Sequence, residues 1–222
     1  PDWGYFGDFE GRVWKINIHD PDPENWGICL FFDTGDKGYD NIPPSTTGYI
    51  PPACDGYLGD YGKRQPSCVN PDKRRPILYR PEFTMAPHGE GYIVYVGTGH
   101  VEDKQEALDQ TRRNYVFALL DRDAINECTY ADIWVGRTGE DSGWPIELEP
   151  GEKLISAPRI YKGVVYFLTY NPYDITNPCA PGTTYKWGVN YATGEGALAT
   201  SSGMVRRIPQ EGFVSMNIIG NV

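Results

Sequence analysis

A two-strand phrase recurs three times along the chain, and no other feature limits its fold so tightly. The first copy, Gly4-Tyr5-Phe6-Gly7-Asp8-Phe9-Glu10-Gly11-Arg12-Val13-Trp14-Lys15-Ile16-Asn17, sets an apolar run against a glycine turn and a second run built around aromatics. The second places Tyr92-Ile93-Val94-Tyr95-Val96-Gly97-Thr98-Gly99 ahead of Asn114-Tyr115-Val116-Phe117-Ala118-Leu119-Leu120-Asp121, with an insertion between them. The third places Val164-Val165-Tyr166-Phe167-Leu168-Thr169 ahead of Tyr185-Lys186-Trp187-Gly188-Val189-Asn190-Tyr191-Ala192-Thr193-Gly194. Such a unit cannot bury its apolar face alone, so neighbouring copies must stack. The expected fold is all-β: a β-propeller with quinoprotein-like, four-stranded antiparallel blades, helix being confined to insertions.

The phrases place blade remnants at about 1–33, 77–149 and 152–208, and the start of a further blade at 212–222. In the first, residues 4–8, 12–18 and 27–33 read as the B, C and D strands. In the second, A, B, C and D fall at 81–88, 92–97, 114–121 and 131–137, and residues 102–110 have helix-forming composition. The third opens near Lys153 and ends in a strand near 200–207. Residues 34–75, rich in Pro and Gly, form a long insertion, and a loop of that length in a compact fold is functional or pinned. About three blades with ragged ends cannot close a ring, so the rest of the propeller is expected from elsewhere in the same chain or from another.

Composition removes several function classes. The net charge of -10 argues against nucleic acid, whose phosphates demand clustered Lys and Arg. The only basic run, Lys73-Arg74-Arg75, reads as a solvated loop beside a strand. No run of ~18 apolar residues offers a membrane span. No leader opens the chain, so one has been removed or the chain is an internal piece.

The five cysteines form no Cys-x-x-Cys or haem-attachment motif and are read as disulfide partners. Cys54 with Cys68 would staple a Gly- and Tyr-rich loop, and Cys128 with Cys179 would join loops of neighbouring repeats. Cys29 would then be left over, either as a buried thiol or bonded outside the chain. His19-Asp20-Pro21-Asp22-Pro23-Glu24 gathers three carboxylates but lacks the glycine of a calcium loop, and reads as a solvated turn. His19, His88 and His100 have no catalytic neighbours, and no nucleophile elbow is present. Tyr39, Tyr49, Tyr57 and Tyr61 in the insertion offer rigid amphipathic contact area, or else cover the blade rim. Trp14, Trp134, Trp144 and Trp187 read as blade-packing aromatics.

Tyr5-Phe6-Gly7-Asp8-Phe9-Glu10-Gly11-Arg12-Val13-Trp14-Lys15-Ile16-Asn17 resembles a signature of the PilC/PilY-type proteins, adhesins associated with the tips of type IV pili. Val94-Tyr95-Val96-Gly97-Thr98-Gly99, Gly151 to Pro158 with Gly163 to Tyr170, and Cys179-Ala180-Pro181-Gly182-Thr183-Thr184 are similar to further family stretches in the same order. The resemblance implies an exported, surface-exposed protein whose propeller modulates pilus assembly and retraction. Its partners would be minor pilins or the pilus tip and a host or abiotic surface. It also implies calcium in some members, with Asp2 at the last position of the binding loop and the earlier ligands before Pro1. The expected function is therefore non-enzymatic. The alternatives are a fragment of a pyrroloquinoline quinone-type propeller dehydrogenase, which would need a Cys-Cys pair that is absent, or a structural subunit of an extracellular filament or redox complex.

Overall fold

The computed structural model describes residues 3–36, 49–50, 57–58, 63–64, 69–100, 102, 111–122, 130–136, 138, 142–172 and 181–211. Among them, strands dominate and the helical segments are short 3-10 turns. The strands build three successive antiparallel sheets.

Sheet 1 contains β1 (Trp3–Gly7), β2 (Arg12–Asn17) and β3 (Gly27–Asp33), in that spatial order. Asp8 shapes its first turn. The carboxylate accepts hydrogen bonds from the backbone N–H of Glu10 and Arg12, both at 2.9 Å, and from the Trp14 indole at 2.8 Å. Burial alone would raise the Asp8 pKa, but the Trp14 and Arg12 donors and the Arg12 charge outweigh it and hold the carboxyl below its ordinary range. Gly11 closes the turn at φ +79, where a Cβ would fall 2.4 Å from the Thr34 hydroxyl.

The insertion supplies β4 (Tyr49–Ile50) and a separate pair, β5 (Tyr57–Leu58) with β6 (Lys63–Arg64). Sheet 2 then holds β7 (Glu82–Met85), β8 (Tyr92–Gly97), β9 (Tyr115–Asp121) and β10 (Asp132–Trp134) in the order β4-β10-β9-β8-β7, with β11 (Ile146–Glu147) on β9. Thus β4 lies outside β10, Ile50 opposite Ile133 and Tyr49 opposite Trp134. An otherwise open edge of sheet 2 is covered by a strand from the insertion.

Both ends of that insertion are clamped. Arg74 forks onto Asp33, with Nη2 2.6 Å from Oδ2 and Nε 3.0 Å from Oδ1. The Asn70 N–H donates to the Gly35 carbonyl at 2.7 Å, and the Arg75 N–H donates to the Thr34 hydroxyl at 3.0 Å. The solvated-loop reading of Lys73-Arg74-Arg75 is therefore corrected. Arg75 is buried, and Arg74 answers a carboxylate sealed from water that would be costly without a cation.

Sheet 3 comprises β12 (Lys153–Leu154), β13 (Arg159–Tyr161), β14 (Val164–Asn171) and β15 (Thr183–Asn190). After a separate hairpin of β16 (Leu198–Thr200) and β17 (Gly203–Val205) comes β18 (Arg207–Glu211). The order is β12-β14-β15-β18, with β13 also on β14. The fourth strand is thus β18, later than the 200–207 expected from sequence. Residues 198–205 pair with themselves, and Pro209 sits opposite Tyr185 in the outermost strand, where a missing N–H is tolerated.

Two apolar cores weld the sheets together. Val13, Phe31 and Phe32 of sheet 1 pack on Val94, Val96, Phe117 and Leu119 of sheet 2. The opposite face of sheet 2, with Tyr95, Ala118 and Trp134, packs together with Trp144 on Val165, Phe167, Trp187 and Val189 of sheet 3. Each fully buried side chain of this size contributes about 1.5–3 kcal/mol relative to exposure. Trp134, Trp144 and Trp187 are thus packing residues, whereas Trp14 turns to the outer face of sheet 1.

Cys29 is disulfide-bonded, which corrects its reading as the cysteine left over. Cys54, Cys68, Cys128 and Cys179 lie outside the described residues. The expected pairings Cys54 with Cys68 and Cys128 with Cys179 fall outside them as well.

Candidate functional site

The contact residues proposed from sequence lie mostly beyond view. Asp2, Tyr39, Tyr61, Cys54, Cys68, Cys128 and Cys179 are outside the described residues, as is most of the segment 102–110. Tyr49 lies in β4 and Tyr57 in β5. In the acidic turn at 19–24, two carboxylates cap the turn's own backbone. The Asp20 carboxylate accepts from the Asp22 N–H at 2.8 Å, and the Asp22 carboxylate from the Glu24 N–H at 3.1 Å, capping the 3-10 turn Pro23–Asn25. Among the described residues no three His, Cys, Asp or Glu side chains converge as a metal site.

What the structure does bring together is a pair of polar keys at the sheet junctions. At the first, Tyr5 donates to Asp121 Oδ2 at 2.5 Å, and the Lys15 ammonium lies 2.9 Å from the same oxygen. Burial and then the Asp121 charge push the Tyr5 hydroxyl far above its usual pKa. This carboxylate lies at the same end of sheet 2 as Tyr92, whose ring meets that of Trp3 at 5.3 Å. Because Lys15 already neutralises Asp121, the described donors here do not fit a calcium ion.

The second junction repeats the first with different chemistry. Tyr95 donates to the Tyr191 carbonyl at 2.6 Å, and the Trp134 indole donates to the Ala192 carbonyl at 2.7 Å. Gly136, at φ +56, lets the chain pass the same turn, since a Cβ there would sit 1.8 Å from the Ala192 oxygen.

A third network lies within sheet 3. Glu152 is fully buried; it accepts from the Thr169 hydroxyl, from the Glu149 N–H at 3.1 Å and from Arg207 at 2.9 Å. The Trp187 indole donates to the same threonine at 2.8 Å, and the Arg207 guanidinium lies 4.3 Å over the Tyr185 ring. Sequence reasoning missed Lys15, Asp121, Glu152 and Arg207 as a group. The one available signal was Lys15 itself, which stands on the buried side of an alternating strand, two residues from Val13.

These arrangements hold sheets together and position no nucleophile or acid-base pair. No family model matches the chain. A type IV pilus biogenesis factor PilY1 homolog from Xylella fastidiosa (strain Temecula1) is 26% identical over 261 aligned positions, covering 99% of this chain and 14% of that protein. The type IV pilus biogenesis factor PilY1 of Pseudomonas aeruginosa (strain UCBPP-PA14) is 27% identical over 131 positions, covering 57% of this chain and 10% of that protein.

The chain shows low-identity homology to PilY1-type pilus proteins. Its fold matches the crystal structure of the Pseudomonas aeruginosa PilY1 C-terminal domain with a TM-score of 0.60 at 14% identity. That match covers 99% of this chain and 54% of the solved one. The chain therefore spans a small part of the pilus factors and about half of the solved domain chain.

Proposed function

We propose that these residues form blades of a larger β-propeller in a secreted, cell-surface protein that serves type IV pili as an adhesin and biogenesis factor and turns over no substrate. One observation carries the reading: likeness in sequence to one pilus factor and likeness in fold to the C-terminal domain of another each extend over 99% of the chain. The partners in this reading are the rest of the propeller, minor pilins or the pilus tip, and a host or abiotic surface.

Contact with a surface falls to the insertion 34–75. Its clamped ends at Asp33 and Arg74 hold it on a rigid base, a favourable setting for binding loops. Tyr39, Tyr57 and Tyr61 are its contact candidates, while Tyr49 lies in the strand that closes the edge of sheet 2. Calcium, in this reading, depends on Asp2 together with donors ahead of it, and not on the Lys15–Asp121 junction.

Deletion of residues 40–70 from the intact protein, with surface attachment and pilus number as readouts, tests the assignment. Loss of attachment with normal pilus number supports a binding insertion. Unchanged attachment makes the insertion structural, and quinone or haem absorbance in the purified native protein overturns the non-enzymatic reading.

A further inference from the structure

Where residues 191–196, which follow β15, meet β17 and the start of β18, the surface opens into a cleft of about 760 Å³. That volume falls within the range of small-molecule sites, roughly 300–1,000 Å³. Ser142, Glu195, Arg206 and Arg207 form its polar wall, and Met204, 62% exposed, adds an apolar edge.

Each polar group of that wall is held in place by the protein. The Glu195 carboxylate accepts from the Thr138 hydroxyl at 2.5 Å and from the Thr193 hydroxyl at 3.1 Å. The Ser142 hydroxyl accepts from the Thr138 N–H at 2.9 Å. Arg206 donates from Nη2 to the Gly143 carbonyl at 3.2 Å, and Arg207 donates from Nη1 to Glu152 at 2.9 Å. Both guanidiniums rest against the buried Trp187 ring, 6.0 and 5.2 Å from its centroid. Groups fixed before a ligand arrives lose little freedom when it binds.

The donors and acceptors of the cleft complement one ligand chemistry. A guanidinium carries five N–H donors in a planar fork that matches a carboxylate, and at Arg206 the Gly143 bond goes to a neutral acceptor. A carboxylate offers about four acceptor sites, and the two threonines occupy two of them at Glu195, so hydroxyl donors of a ligand also fit there. Met204 offers a thioether and methyl to the C–H face of a sugar ring. No aromatic side chain lines the cleft, which therefore gives a nucleobase no stacking platform. We propose that the cleft binds an acidic saccharide, a uronic or sialic acid unit. Its carboxylate sits on Arg206, its hydroxyls donate to Glu195 and Ser142, and its apolar face lies on Met204. The proposal rests on the surface-adhesin reading above and adds a second point of contact to the insertion 34–75.

Titration calorimetry of the intact natural protein with sialyllactose and with trigalacturonate, against lactose, sodium sulfate and a triglutamate peptide, tests it. Saturable binding of at least one acidic saccharide is expected, with none of lactose, and the preferred probe tells a sialic from a uronic carboxylate. Arg206→Gln is expected to weaken that binding about tenfold or more, as loss of a charge-assisted pair does. Met204→Glu, at an exposed position, sets a like charge beside the saccharide carboxylate and is expected to abolish binding with the Tm unchanged. Absence of binding by both acidic saccharides overturns the proposal. Sulfate or triglutamate bound as tightly overturns the saccharide class, and binding that survives both substitutions overturns the site. These readouts involve neither attachment nor pilus number, so their failure is distinct from failure of the pilus reading.

Discussion

The Lys15 ammonium lies 2.9 Å from the Asp121 carboxylate, 106 positions away in sequence, with both side chains sealed from water at the junction of sheets 1 and 2. Removing Lys15 leaves the Asp121 carboxylate buried without this cation. Lys15→Met is expected to cost about 3–5 kcal/mol in denaturant unfolding, and adding Asp121→Leu should recover most of that loss. A double variant no more stable than the single one would contradict this account of the junction.

Alkaline pH should loosen both sheet junctions. Tyr5 and Tyr95 have hydroxyls whose pKa is raised, chiefly by burial. Above about pH 10 these tyrosines ionise in the unfolded chain while the folded ones keep their protons. The folded state then binds more protons, so stability is complete below that pH and falls above it, by up to about 1.4 kcal/mol per pH unit for each group. Tyr5→Phe should flatten the slope measured between pH 10 and 11.

At low pH the sign reverses for Asp8. Its folded pKa is depressed, so its contribution is present above the ordinary carboxylate pKa and is lost as pH falls through the folded value. Trp14→Phe removes an indole donor at 2.8 Å, and NMR titration should find the Asp8 carboxyl shifted upward.

Glu152 should prove the most sensitive carboxylate of sheet 3. Glu152→Ala leaves Arg207 with Glu149 alone, at 3.4 Å, and deprives the Thr169 hydroxyl of its acceptor, an expected loss of about 1–3 kcal/mol. Thermal unfolding of the variant against wild type measures it.

Reduction is expected to destabilise the protein as well. Cys29→Ser should cost about 2–4 kcal/mol, the usual range for a native disulfide. Non-reducing peptide mapping should find Cys29 joined to one of the other four cysteines.

The central hairpins were legible because β1, β2, β8, β9, β14 and β15 alternate strongly and are bounded by glycine turns. Their ends fall within a few residues of the spans read from sequence. The last strand was not. Pro209 demotes 207–211 on local grounds, and only its place at the sheet edge makes the strand permissible. The buried ion pairs were equally hidden, since nothing local marks Asp121 as the mate of Lys15 or Arg74 as the mate of Asp33. Of the insertion's contact tyrosines, Tyr39 and Tyr61 lie outside the described residues and Tyr49 and Tyr57 fall in short strands, and the strand lent to sheet 2 pins the insertion there.

That borrowed strand alters how the chain would bear load. After leaving sheet 1 the polypeptide runs first to the outer rim of sheet 2, through β4, and only then to its inner strand, β7. A force pulling sheet 1 away from sheet 2 meets a zipped ladder on one side, the clamp between Asp33 and Arg74, and the apolar weld between the sheets, in place of one slack linker. Such stitching makes neighbouring sheets share tension.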